Sequence, residues 1–225
     1  MEAVVAFDLD DTLYKEMDFV KSAFSAIADA LGGNGCDRKE VYDAMLSAFK
    51  ESRNPIDEVI SGFRQPFSEK ELVDIYRYHK PAIFLADGAR DVLAWLKGQG
   101  FGLALITDGR VRTQYNKVEA LHLTDYIPEK AVVVSEAAGH DKTDPDNFIA
   151  VQNLYEGAGK FVYVGDNPAK DFFQPNRLGW GTVCLKDDGR NIRPQDIDCP
   201  AEALPQYVIE DISSLPRLIM KILKN

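Results

Sequence analysis

Hydrophobic and polar positions follow two different periods along this chain. The opening run AVVAFDL is β-branched and apolar on both faces, the pattern of a buried parallel strand. From Glu16 to Leu31 the period becomes helical, with Phe19, Val20, Ala23, Phe24, Ile27, Ala30 and Leu31 marking one face and Gly32-Gly33 ending the segment. Asp37 is placed to cap a second helix carrying Val41, Met45, Leu46 and Phe49. Asn54-Pro55 breaks it, and the short segment IDEVISGF follows. Ser68 and Glu71 have capping-box spacing and predict a further helix to about His79, stopped by Lys80-Pro81. Residues 15–83 therefore carry no strand pattern.

Beyond residue 83 the chain alternates. GARDVLAWLKGQG predicts a helix, FGLALIT a strand, VRTQYNKVEALHL a helix and AVVVS a strand. PDNFIAVQNLY predicts a helix, FVYVGD a strand, and PAKDFFQPNRLG a helix broken by Pro175. WGTVCL predicts a strand, YVI a short one, and SSLPRLIMKILKN an amphipathic helix. Strands alternating with helices imply right-handed βαβ units and a parallel sheet covered on both faces. The fold class is thus α/β: a Rossmann-like core of residues 1–14 and 84–225, with an all-helical cap of residues 15–83 inserted after the first strand.

Composition narrows the function. The chain has 225 residues and a net charge of −10, from 26 Lys plus Arg against 36 Asp plus Glu. That balance argues against nucleic acid and anionic membranes as partners, and leaves room for a small anionic substrate in a locally positive site. Cys36, Cys184 and Cys199 are sparse and unpaired in spacing, as in a reduced, cytoplasmic protein. The N-terminal apolar run is too short for a signal peptide, and no run approaches a membrane span.

In such sheets ligands bind beyond the carboxyl ends of the strands. Asp8 and Asp10 end the first strand, and a period of two aims both at one face. Thr107 and Asp108 end FGLALIT, Asp166 ends FVYVG, Asp171 follows five residues later, and Lys142 lies in the loop after AVVVS. Carboxylates this close repel: at ~5 Å and an effective dielectric near 20, each pair costs about 3 kcal/mol. Solvent, a proton or a metal must offset that. Singly, Asp11, Asp87, Asp108 and Asp141 read as caps or solvated loop acids. A calcium loop of the EF-hand kind fails, because Leu13 stands where it needs glycine. A magnesium site that binds and transfers phosphate explains both the converging acids and the lone lysine.

FDLDDT, LITDG, GHDKTDPDNF and VGDNPAKDF occur in the order and rough spacing of the four motifs of the haloacid dehalogenase-like (HAD) hydrolase superfamily. TQYNKVEALHL and VVVSEAAGHDK also resemble the branch whose helical cap lies between the first and second motifs. The resemblance covers nearly the whole chain and is weakest across the cap. It implies that Asp8 is the nucleophile forming an aspartyl-phosphate, and that Asp10 is the general acid and then base. It implies Mg²⁺ held by Asp8, Asp166 and the backbone carbonyl of Asp10. Thr107 and the Asp108 N–H, in the turn with Gly109, would hold a phosphoryl oxygen. Lys142 would neutralise charge, with Asp171 supporting it or a water.

Two positions depart from the family pattern: Asp108 stands where Asn is common, leaving an extra negative charge to explain, and Thr143 stands where Pro is frequent, which should loosen the Lys142 loop. Asp10 itself argues for phosphate esters over dehalogenation, since a halide needs no proton. The expectation is a Mg²⁺-dependent phosphomonoesterase of a small cytosolic metabolite, such as a sugar phosphate or nucleotide, working as monomer or homodimer. A phosphomutase of the β-phosphoglucomutase type is the alternative, ahead of a silent phosphate-binding module. Arg110, beside the phosphate pocket, is the leading candidate contact to the substrate, ahead of Arg53, Arg64 and Arg112. Phe19, Phe24, Tyr42 and Phe49 read as cap core, and His79, His122 and His140 lack metal-ligand spacing.

Overall fold

The computed structural model describes residues 1–224, which form two compact units: Met17–Ile83, and Met1–Glu16 together with the chain from Phe84 onward. The first is helical. Its elements are α1 (Glu16–Gly32), α2 (Arg38–Lys50), α3 (Pro55–Gly62) and α4 (Glu69–Tyr78). Local chemistry fixes their starts. Asp37 caps α2 by accepting from the Glu40 N–H, and Asn54 caps α3 by accepting from Ile56, with Pro55 at the first turn where no N–H is needed. Ser68 and Glu71 form a reciprocal capping box at α4. Phe19 and Phe24 are buried and pack edge-on against Tyr76 and Phe49 respectively. Tyr42 and Phe49 are only half-buried. His79 is held by the Ser22 hydroxyl at 3.0 Å and the Tyr76 carbonyl at 2.8 Å, a structural role.

The second unit is built on six parallel strands: β1 (Ala3–Phe7), β2 (Gly102–Thr107), β3 (Val132–Val134), β4 (Lys160–Gly165), β5 (Gly181–Leu185) and β6 (Tyr207–Ile209). Their order is β3-β2-β1-β4-β5-β6. Its helices are α5 (Ala89–Gly98), α6 (Val111–Ala120), α7 (Ser135–Ala138), α8 (Asp146–Leu154), α9 (Phe173–Arg177) and α10 (Leu215–Lys224). Every residue of β1 and β2 is buried, which is why these segments read as continuous apolar runs. Each large side chain buried this way contributes about 1.5–3 kcal/mol. The stretch around Pro175 contracts to five helical residues, and Pro175 sits in the first turn, where its missing N–H breaks no bond.

Strand order turns back on itself at β1, whose neighbours are β2 on one side and β4 on the other. Such a switch point opens a crevice at the carboxyl ends of the strands. Pairing continues one residue past β1, where the Asp8 N–H donates to the Val164 carbonyl at 2.8 Å. Asp8 is thereby fixed in backbone position beside the end of β4. No helix among the described residues is long and apolar enough to cross a membrane.

Candidate active site

A cavity of about 370 Å³ lies at this crevice, lined by Asp8, Asp10, Thr107, Asp108, Lys142, Asp166 and Asp171, with Glu16, Asn167, Lys170 and Arg193 at its sides. Seven residues singled out in the sequence thus meet in one place. Asp8, Lys142 and Asp166 are 4–5% exposed and Asp171 is fully buried. The Lys142 ammonium bonds to Asp8 Oδ1 and lies 2.8 Å from Asp171 Oδ1. Burial by itself would push Lys142 down, but the Asp171 and Asp8 carboxylates outweigh it and hold its pKa well above the usual lysine range.

Asp171 is saturated. Its Oδ2 accepts from the backbone N–H of Asp166 at 3.1 Å and of Asn167 at 2.8 Å, while Oδ1 takes Lys142. This close approach requires Gly165, since a Cβ there would lie 2.4 Å from Asp171 Oδ2. Its hydrogen bonds are those of a support for Lys142 and for the turn after β4. Asp166 Oδ2 accepts from Asn191 at 2.9 Å, and the Thr12 hydroxyl faces both Asp8 and Asp166 at 3.4 and 3.5 Å.

Carboxylate oxygens of Asp8, Asp166 and Asp171 lie within 4.8 Å of one another. Burial chiefly, then the neighbouring carboxylates, pushes Asp166 up to about 9; burial, only partly offset by Lys142, pushes Asp8 up to about 7. One ammonium is too little charge for three buried acids. An all-oxygen donor set of excess negative charge fits a hard divalent cation.

Asp10 stands apart from that cluster electrostatically. It accepts from Tyr14 Oη, from Lys117 Nζ at 2.7 Å and from Gln114 Nε2 at 3.1 Å. Burial would raise it, but the Lys117 ammonium and these hydrogen bonds prevail and hold it below the ordinary aspartate value. Gln114, Lys117, Tyr14, Thr12 and Asn191 went unrecognised in the sequence. A usable signal existed for two of them: Gln114 and Lys117 are polar residues three apart on the α6 face that also buries Val118.

Both departures from the family pattern have structural partners. Asp108 Oδ2 meets Lys170 Nζ at 3.0 Å, and its Oδ1 accepts from the Lys142 N–H at 3.1 Å. The Thr143 N–H donates to Asp141 at 2.9 Å, a bond proline could not make, so the loop is tied rather than loosened. Asp11 adopts φ 57° and accepts from the N–H groups of Glu16 and Ile192, a structural cap as its type suggests.

Arg110 is not brought to this cavity. It lines a separate shallow depression with Glu136 and His140, half exposed and 3.4 Å from Glu136. Gly109 lines the same depression, and its N–H donates to Ser135 Oγ at 2.9 Å. The strand AVVVS also ends early, because Ser135 turns into α7 to make that contact.

A family model described as haloacid dehalogenase-like hydrolase matches residues 3–172. The chain belongs to this family. HAD-like hydrolases generally use a divalent metal, with which the acidic cluster is compatible. Among relatives, a glyceraldehyde 3-phosphate phosphatase of Pyrococcus abyssi is 30% identical over 83% of this chain and 82% of its own. A ribulose-1,5-bisphosphate 5-phosphatase of Halopiger xanaduensis is 24% identical over 97% of this chain and 100% of its own. A HAD-hydrolase of Bacillus subtilis, solved with bound magnesium, superposes with a TM-score of 0.67 at 22% identity, covering 97% of this chain and 98% of its own. A HAD phosphatase of Thermococcus onnurineus does so at 0.62 and 22%, with the same coverage. The fold shared with these structures thus extends beyond the residues the family model matches, over 97% of the chain.

Proposed function

We propose that this HAD-like hydrolase cleaves phosphate monoesters of small metabolites, with Asp8 as nucleophile. The observation that carries the reading is the environment of Asp8. Its carboxylate is buried at the switch point, paired with Lys142, and has Asp10 two residues away lining the same cavity. An Asp8 oxygen attacks phosphorus, the bond to the ester oxygen breaks, and Asp10 delivers a proton to that oxygen. Asp10 then takes a proton from water, whose oxygen attacks the aspartyl-phosphate and regenerates Asp8. Thr107 and the Asp108 N–H hold a phosphoryl oxygen, and Lys142 balances charge as it moves onto the phosphoryl group.

Asp8, Asp166 and the backbone carbonyl of Asp10 are the proposed holders of Mg²⁺, which bound there would neutralise phosphoryl charge. Asp171 supports Lys142. The relatives' names favour sugar phosphates of a few carbons, and the cavity volume suits such a molecule. The helical unit is the proposed cap that selects the leaving group. The three cysteines are free, as a cytoplasmic enzyme would have them, and all the proposed catalytic groups come from one chain, so monomer and homodimer serve equally.

The test is phosphate release with Mg²⁺ from a panel of phosphate esters including glyceraldehyde 3-phosphate, with Asp8→Asn as blank. Hydrolysis confined to the wild type supports the reading, and a fully active Asp8→Asn variant refutes it.

A further inference from the structure

We propose that α6 orients both the acid and the phosphoryl-binding hydroxyl of this enzyme, with Lys117 and Gln114 as positioning residues for Asp10 and Thr107. The inference rests on the phosphomonoesterase reading above and adds to it how those two groups are aimed.

The geometry is specific. Lys117 is 4% exposed, so its cation is held out of water to meet Asp10 Oδ1 at 2.7 Å. Tyr14, which is fully buried, donates to the same oxygen. Two donors on Oδ1 use both of its lone pairs. Among the described residues Oδ2 accepts from Gln114 alone, at 3.1 Å, which leaves it one open lone-pair direction. The open direction of the Asp10 carboxyl group is therefore on Oδ2, and the cradle fixes where Oδ2 points.

Gln114 does the same for Thr107. Its Nε2 carries two hydrogens, one directed to Asp10 and the other to Thr107 Oγ1 at 2.5 Å. Turning the amide over would set its oxygen against the Asp10 carboxylate, so this orientation is enforced electrostatically. With Thr107 Oγ1 accepting from Gln114, the threonine O–H is directed to donate elsewhere, as a group holding a phosphoryl oxygen must. Gly109 makes room for the arrangement: at φ +149°, a Cβ there would stand 3.0 Å from Gln114 Cγ and Cδ. One amide thus couples the proton donor to the phosphate site, and the buried ammonium three residues on holds the donor still.

Leaving-group dependence distinguishes this from a purely structural role. An aryl ester departs without much need of a proton, whereas an alkyl ester depends on one. The experiment measures kcat/KM for wild type and Lys117→Met over a series from p-nitrophenyl phosphate to alkyl phosphates with Mg²⁺. The expected result is a loss of about 10- to 100-fold on alkyl esters, part of the roughly 100- to 10,000-fold that general acid catalysis supplies, and a loss about tenfold smaller on p-nitrophenyl phosphate. The plot against leaving-group basicity steepens, and adding Lys117→Met to Asp10→Asn steepens it no further. Gln114→Met keeps side-chain volume and serves if Lys117→Met does not fold; it is expected to steepen the plot and also lower every rate, because Thr107 loses its orientation. Equal losses across the series for a folded variant overturn the inference while leaving the phosphatase reading intact. A wild type inactive on every ester overturns both.

Discussion

The Lys170 ammonium lies 3.0 Å from Asp108 Oδ2 while the other oxygen of Asp108 accepts the Lys142 backbone N–H. Asp108 therefore ties the end of β2 to the loop that carries Lys142. The charge that sets it apart from the family's usual Asn is balanced by a half-exposed lysine, a pairing worth at most about 1 kcal/mol at such exposure.

Asp108→Asn should accordingly cost little, because the amide oxygen can still accept from Lys142. Asp108→Ala should cost about 1–2 kcal/mol more, since that N–H loses its partner. Urea unfolding of both variants checks this, and equal destabilisation would show that the hydrogen bond to the loop contributes nothing.

Gly165 has no room for a side chain against Asp171. Gly165→Ala should destabilise by about 1–3 kcal/mol and displace Asp171 from Lys142, lowering kcat with it. Denaturation and turnover of the purified variant provide the comparison. A variant as stable and active as wild type would mean that the turn after β4 yields freely.

The acidic cluster gives the metal-free protein a definite pH dependence. Asp8 and Asp166 sit at about 7 and about 9, above their ordinary value of 3.8. For a carboxylate raised by folding, the stabilising contribution is complete below the unfolded pKa and lost as pH rises through the folded one. Protein stripped with a chelator should lose Tm from about pH 4 up to about pH 9. Millimolar Mg²⁺ should restore more at the alkaline end, where it no longer competes with protons. A Mg²⁺ effect on Tm that grows toward acid pH would contradict the cluster as the binding site.

The strand-end acids were legible because a buried parallel strand leaves an unmistakable apolar run, and whatever ends it faces the ligand crevice: AVVAF delivers Asp8, and FVYVG delivers Asp166. Capping residues were legible for a similar local reason, as at Asp37, Asn54 and Ser68. The groups around those acids were not. Lys117 reaches Asp10 across 107 residues of sequence, and Asn191 reaches Asp166 from a loop with no period to read. Arg110 shows the converse, a neighbour in sequence that the fold directs elsewhere. Adjacent to the Thr107 turn in sequence, it points to Glu136, because Gly109 and the start of α6 redirect the chain.

The most direct test of the central claim is to trap the phosphoryl group on the enzyme. Acid quenching during turnover of a phosphate ester, followed by mass spectrometry of the peptide containing Asp8, should find phosphate on that residue in wild type. Asp8→Asn should carry none and turn over about a thousandfold or more slowly. Phosphate release by wild type with no phosphorylated Asp8, together with an Asp8→Asn variant that still turns over, would contradict nucleophilic catalysis at Asp8.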